Sequence, residues 1–550
     1  MDMRHQTLFS NARVTDVNTG LSTLKAILVQ EGVIAGIYDM NDLPGGNYET
    51  VDCGGNFLLP GFVDAHLHIP GDLLYKKFGV LLYDCASMDA LLSVLAKERE
   101  TQKNFPCIRG YGWNYDMFAE YDGVYRGNGL IQNLDRLYPH TPVVLFSSDY
   151  HCCICNTRAL EICHINREIS DPPGGTIVKD VNGNPNGFLF ENACQLVNSP
   201  ITGDAGPGFT YAELEEAIKS YQNILHRHGI TSVQSLMFIG GNYSDEWKIL
   251  DRMNRENQLK ININGSIPVA PGMSAGEILA NLHGAKQHEN DKVRIRTAKL
   301  YMDGVIENYT AGLSRPYSDT GENCDCLWKP EELKTTCSFL LEQGLQLHAH
   351  AIGDKAVSLA ADAFAYAQKQ AQKTDCRNTI AHIQLCGMKT VRKMAQNHII
   401  ACLQPFWFPA SPSHFSIDRK RLGKRADYEY RLNSFIENNV LVSGGSDSPV
   451  TPDFCPTVAI SYGATRMDKD YPWPLYNQKE CADVLELVKA FTKNGAYQLF
   501  REDSIGAVSP GYYADFVLLP QDICRMDAAD IKDVRPVMTV YRGEIVYRSF

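Results

Sequence analysis

The sequence predicts an α/β protein: a (β/α)8 TIM barrel with a subdomain inserted after strand 1, and a small β-sandwich built from both chain ends. Three observations predict it. Short apolar runs alternate with helical stretches eight times between residues 57 and 504. About 160 residues, not a short loop, separate the first of these runs from the second. Both termini are dense in short strands and glycine turns.

At the amino end, Leu8-Phe9, Ala26–Val29 and Val33-Ile34 are strand candidates punctuated by Gly32 and Pro44-Gly45-Gly46. At the carboxyl end, Ala514–Leu519 and the hairpin Val537–Tyr541, Gly543, Ile545–Tyr547 have the same texture. Neither piece has enough strands to cover a sheet face alone, so residues 1–56 and 505–550 are expected to pair into one composite β-sandwich.

Between them the eight strand candidates are Phe62–His68, Ile230–Leu236, Ile261–Ile267, Ile295–Met302, Leu345–His350, Thr379–Gln384, Ile399–Phe406 and Leu441–Gly444. Stretches such as Thr210–His228 and Lys355–Gln372 repeat apolar residues at three- and four-residue spacing, which is helical. Eight such repeats suggest a barrel over 57–504 whose site lies at the carboxyl ends of the strands. Residues 70–205 then form an inserted subdomain over the barrel mouth, with its own strand at Val143–Phe146. Trp113, His151, Asn156 and Glu191 are its candidate substrate-binding residues; each residue type is also common in packing and turns.

The chain has 550 residues, 44% of them hydrophobic and 21% charged, which is ordinary for a globular protein with room for more than one core. A net charge of −12 speaks against nucleic acid and anionic membranes as partners and leaves a small molecule. No secretory signal and no run long enough to span a bilayer is visible, so a cytoplasmic location is expected. The seventeen cysteines are scattered without a paired CxxC pattern and read as small buried hydrophobes. A homo-oligomer is compatible with all of this.

Polar residues at the ends of buried strands carry the chemical signal. Strand one ends in His66 and His68, two apart and so on one face. Lys299 lies on strand four, His348 and His350 on five, His382 on six, and Asp447 follows eight. An isolated HxH is more often bland than functional. Several imidazoles, a lysine and a carboxylate on one rim make the ligand set of a hydrolytic metal centre, with zinc the expected ion.

This order resembles the amidohydrolase superfamily, and the wording LPGFVDAHLHI, KLYMDG, HAIGD, IAHIQLC, LQPFWF and GSDSPV resembles its family 3 branch of N-substituted formamide deformylase-like enzymes. SSDYHCCICNTRAL, PPGG and NGFLFENA within the insertion look similar too. The resemblance implies that His66, His68 and Asp447 hold one divalent ion and that His350 and His382 hold a second if two are bound. It also implies that Lys299 is carboxylated and bridges them; the alternative is an unmodified lysine that contacts substrate or snorkels. Glu191 is a rival acidic ligand. His348 is not aligned as a ligand.

The implied reaction is hydrolysis of a non-peptide C–N bond in an amide, formamide or cyclic amide. Metal-activated water attacks, Asp447 shuttles the proton, and His382 or His151 faces the oxyanion. Gly444 and Gly445 leave room for close approach at this centre. Two departures from the branch, Gln234 after strand two and Asn114 in the insertion, touch substrate identity. The rival readings are a deaminase or ester hydrolase on the same barrel, or an inactive barrel that only binds. HAIGD lacks the strand-five glutamate a deaminase would use, and the full ligand set disfavours decay.

Overall fold

The computed structural model describes residues 6–101, 107–118, 130–172, 174–198, 209–236, 243–411, 414–471 and 474–549. Residues 199–205, the end of the expected insertion, lie outside that set.

Eight parallel strands form one sheet in sequence order. They are β1 (Phe62–Leu67), β2 (Ile230–Ser235), β3 (Asn262–Val269), β4 (Val293–Tyr301), β5 (Gln346–Ala351), β6 (Thr379–His382), β7 (Ile400–Leu403) and β8 (Val442–Gly444). Each predicted strand is present, because strands covered on both faces read as continuous apolar runs. Two end early. The chain leaves β6 at His382 and Ile383, where φ is 72° and 47°, values that no extended strand allows. It leaves β7 before Pro405, which has no N–H for the ladder and opens a turn of 3-10 helix at Pro405–Trp407.

The sheet closes into a barrel at its carboxyl rim. The Asp447 N–H donates to the His66 carbonyl at 2.7 Å, and the His68 N–H donates to that of Ser448 at 2.9 Å. Gly445 permits this seam: a Cβ there would meet His66 Cβ at 2.7 Å and His66 N at 2.8 Å. Asp64 stitches the same seam from inside, accepting the N–H groups of His66 at 3.1 Å and Ser446 at 3.0 Å.

Six further strands within residues 80–191 form a second sheet, in the order Gly175–Lys179, Pro185–Glu191, Cys152–Cys155, Val143–Ser147, Ile108–Trp113, Val80–Leu81. It is tied to the barrel's first helix, Tyr211–Arg227. That helix begins with Thr210 and Glu213 capping each other's backbone N–H. The Glu213 carboxylate also pairs with Arg109 of the inserted sheet at 3.2 Å.

The chain ends share a third sheet of eight strands. Phe516–Leu519 lies antiparallel to Phe57–Pro60, which is parallel to Gln6–Thr15. Its apolar side is a separate cluster of Phe9, Ile27, Leu58, Phe516 and Val540, among others. Burying each such side chain contributes about 1.5–3 kcal/mol. All seventeen cysteines are free thiols, twelve of them buried. Among the described residues no helix is long and apolar enough to cross a membrane.

His226 joins barrel and terminal sheet. Its Nε2 shares a hydrogen bond with the Lys260 carbonyl at 2.8 Å, and its own carbonyl accepts from the Thr539 hydroxyl at 2.7 Å. Burial lowers its pKa to about 4 from an ordinary 6.5. The unfolded chain therefore takes up a proton as pH falls below 6.5, while the folded chain does not until about 4. Between those values acidification destabilises the protein, by about 3 kcal/mol for this one group. Urea midpoints measured from pH 7 to pH 4.5 should fall, and His226→Gln should flatten the slope; an unchanged slope would remove this assignment.

Candidate metal centre

Five of the predicted residues meet at the barrel's carboxyl rim. His66, His382 and Asp447 each place a ligand atom within 4.8 Å of the others. His68 joins them: its Nε2 and that of His66 each lie 3.1 Å from the same oxygen, Asp447 Oδ1. The His350 ring stands 4.7 Å from the His382 ring, centroid to centroid, with Nε2 directed at the Gly304 carbonyl at 3.2 Å. Lys299 is buried beneath this group, its ammonium 4.8 Å from the Tyr301 ring centre.

The electrostatics suit a cation. Burial, aided by Lys299, holds the His66 imidazole well below its ordinary pKa, and burial brings His382 to about 4. Both rings are neutral near pH 7. Burial alone would raise the Asp447 carboxyl, but His382 and His66 outweigh it and hold it well below the carboxylate range. His66 shares a hydrogen bond through Nδ1 with His348 Nε2 at 3.0 Å, which leaves Nε2 facing the carboxylate. That Nε2 is buried and makes no hydrogen bond of good geometry. Imidazole nitrogens with one carboxylate are the donor set of a borderline divalent ion, so the residues fit the metal.

Supporting groups hold these side chains in place. Gln404 Oε1 lies 3.0 Å from His382 Nδ1 and orients that ring with Nε2 inward. Asp303 accepts backbone N–H groups from Gly312 and Gly353 at 2.8 Å and from Ile352 at 3.0 Å, locking the loop after β4 to the end of β5 beside His350. Burial still lifts the Asp303 carboxyl to about 7, and does the same to Asp64. Burial lowers Lys299 to about 8. Backbone strain gathers here as well: His382, Asp447 and Glu191 have φ of 72°, 57° and 51°.

A cavity of about 380 Å³ opens over the centre, lined by His350, His382 and Asp447 on one side and by the insertion and later loops on the other. His151 lines it and is bonded through Nδ1 to Glu191 Oε2 at 2.6 Å. Burial would lower this imidazole, but Glu191 beside it raises it to about 9. Glu191 thus partners His151 here. Asn114 lines the cavity and accepts from the Ser148 hydroxyl at 2.6 Å.

Three other singled-out residues are placed elsewhere. Trp113 is buried in the insertion's own core, its indole N–H donating to the Leu145 carbonyl at 2.9 Å. Asn156 caps the helix Thr157–Ile162 and also accepts the Val143 N–H and donates to the Tyr138 and Thr141 carbonyls. Gln234 bonds across strands to Asn264. Conversely, His348, Gln404, Asp303 and Asp64 were not assigned site roles from sequence. The signal available for Gln404 and Asp303 is their place inside LQPFWF and KLYMDG.

Comparison with known proteins agrees with this arrangement. The chain is 31% identical over 535 residues to the protein named Putative amidohydrolase YtcJ from Bacillus subtilis (strain 168), covering 96% of each. It is 22% identical over 576 residues to the N-substituted formamide deformylase of Arthrobacter pascens, covering 100% of this chain and 99% of that one. The fold matches the crystal structure of an uncharacterized metal-dependent hydrolase from Pyrococcus horikoshii OT3 with a TM-score of 0.72 at 21% identity, over 95% of this chain and 99% of that one. The amidohydrolase family model (Amidohydro_3) matches residues 49–547. With the barrel, the rim of histidines and a match running through nearly the whole sequence, the chain belongs to the amidohydrolase family.

Proposed function

We propose that this protein is a divalent-metal hydrolase of a non-peptide C–N bond in an amide, formamide or cyclic amide. The observation that carries the reading is the convergence of His66, His68 and His382 on the Asp447 carboxylate. His66, His68 and Asp447 would hold one ion, and His350 and His382 a second. Lys299, once carboxylated, would add an anionic ligand to the set, and its amine, lowered to about 8, keeps enough neutral form to take up carbon dioxide. Zinc suits the nitrogen-rich set. When bound, such an ion acidifies water toward neutrality and polarises a carbonyl.

The remaining chemistry belongs to the chain. Asp447 accepts the proton of the attacking water and returns it to the leaving nitrogen, so an amide and water become a carboxylic acid and an amine. His382 presents a lone pair rather than a proton to the cavity, because Gln404 occupies its Nδ1. His151, held protonated by Glu191, is the donor for the developing oxyanion.

A panel of N-formyl and N-acyl amines, a proline dipeptide, adenosine and simple esters, given to zinc-loaded protein, tests the reading. Acid and amine should appear from the amides. Turnover confined to the dipeptide, the nucleoside or the esters would overturn it. Native mass measurement at neutral pH should find carbon dioxide added at Lys299, and Lys299→Ala should lose it; an unmodified wild-type chain would remove this ligand.

A further inference from the structure

The wall of the cavity away from the metal centre is acidic in a way the reaction does not use. Glu307, from the turn of helix after β4, and Asp418, from the helical turn His414–Asp418 after β7, line it together with Asp149 of the insertion. Three separate segments thus bring carboxylates to one space. Glu429 lies behind them, its carboxylate accepting from the Gln384 side chain at 2.6 Å. Among the described residues the lining holds no lysine or arginine. Its one cation is His151, which is paired to Glu191 at the catalytic end. Arg421 is near the acids but off the lining, its guanidinium 4.3 Å from the Tyr309 ring centre.

A second observation is independent of the acids. Tyr430 is only 8% exposed, lines the same wall, and its hydroxyl has no hydrogen-bond partner among the described residues. That hydroxyl opens on the cavity, where a ligand can supply the partner that the described residues do not. Burial, together with Glu429 and Glu307, lifts the Asp418 carboxyl well above its ordinary range. Burial, with Asp149 and Glu429 beside it, raises Glu307 as well. A cation entering this space would relieve that mutual repulsion. Tyr430 and the indole of Trp407, stacked on His382, add ring faces that favour one.

We infer that the cavity is built for a substrate carrying an ammonium or guanidinium group, seated against Glu307, Asp418 and Tyr430 while the scissile bond lies at Asp447. This rests on the hydrolase reading for the bond and deepens it by naming the substrate's other end.

The test separates the two. Calorimetric titration of the zinc-loaded protein with benzylammonium, benzyl alcohol and benzoate reads the subsite without any turnover. Benzylammonium should bind about tenfold or more tighter than the alcohol, and benzoate weaker than either. Glu307→Gln and Asp418→Asn, checked for folding by thermal melting, should each erase most of the preference. Equal or tighter binding of benzyl alcohol, or a benzylammonium affinity unchanged in both variants, overturns the inference.

Turnover then compares mono-acetylated pentanediamine with N-hexylacetamide. Cleavage of the charged amide at about tenfold or higher kcat/KM supports the inference. Equal cleavage of both sinks it and leaves the hydrolase reading standing. Selective benzylammonium binding with neither amide cleaved supports the cation subsite and counts against the reaction.

Discussion

Asp447→Asn should lower kcat by about 10²–10⁴-fold while the protein keeps its fold and its melting temperature changes little. Asparagine preserves the shape of the side chain and an oxygen at the same place, but it cannot take a proton from water or hand one to a leaving nitrogen. The backbone N–H that closes the barrel onto the His66 carbonyl is untouched by the change. The left-handed φ of 57° is one that asparagine tolerates as well as aspartate. Asp447 is also a proposed ligand, so steady-state kinetics and circular dichroism are run at saturating zinc, with the ion content of the variant checked by elemental analysis, to separate the proton transfer from loss of the ion. A variant within a few fold of wild type would show that the proton travels by another route. A variant that no longer folds would be replaced by Asp447→Glu, in which the group is kept and displaced.

Removing the metal should have the second large effect. Treatment with a chelator should abolish turnover, and elemental analysis before treatment should find about one or two divalent ions per chain. Ion at about a thousandfold over its dissociation constant adds about 4 kcal/mol to stability, so the melting temperature should rise with added zinc and fall with chelator. His66→Ala should remove most of this response, since it deletes the most buried imidazole of the set and leaves Asp447 without one of the groups that hold its charge. Full activity in a metal-free, folded protein would end the proposal.

The barrel was legible because its strands are covered on both faces and so appear as unbroken apolar runs, and because histidine, lysine and aspartate stand out at their ends. The interval after β1 announced an insertion by length alone. Which insertion residues face the cavity was not legible. Trp113 and Asn156 are buried in the insertion's own core and helix cap, and His151 faces the cavity, yet all three sit in similar sequence surroundings. Glu307, Asp418 and Asp149 are far apart in the chain and carry no shared spacing; only the fold brings them to one wall. The partners of the candidate ligands were hidden for a related reason. His348 looks like a spare histidine until β1 and β5 face each other across the barrel and its ring meets His66.

The seam at Gly445 sets the order in which this protein can be assembled. His68 and Asp447 are 379 residues apart, and the contacts joining them are also those that bring the first and last barrel strands together. Closing so long a loop costs about 5 kcal/mol in chain entropy, and nothing at this site offsets that cost until both ends arrive. A growing chain therefore carries histidines and a lysine but no complete set of ligands before its final barrel strand has been made. With the proposed ligand set, an ion would find its full set of donors only at the end of folding, and would then act as a clasp across that seam.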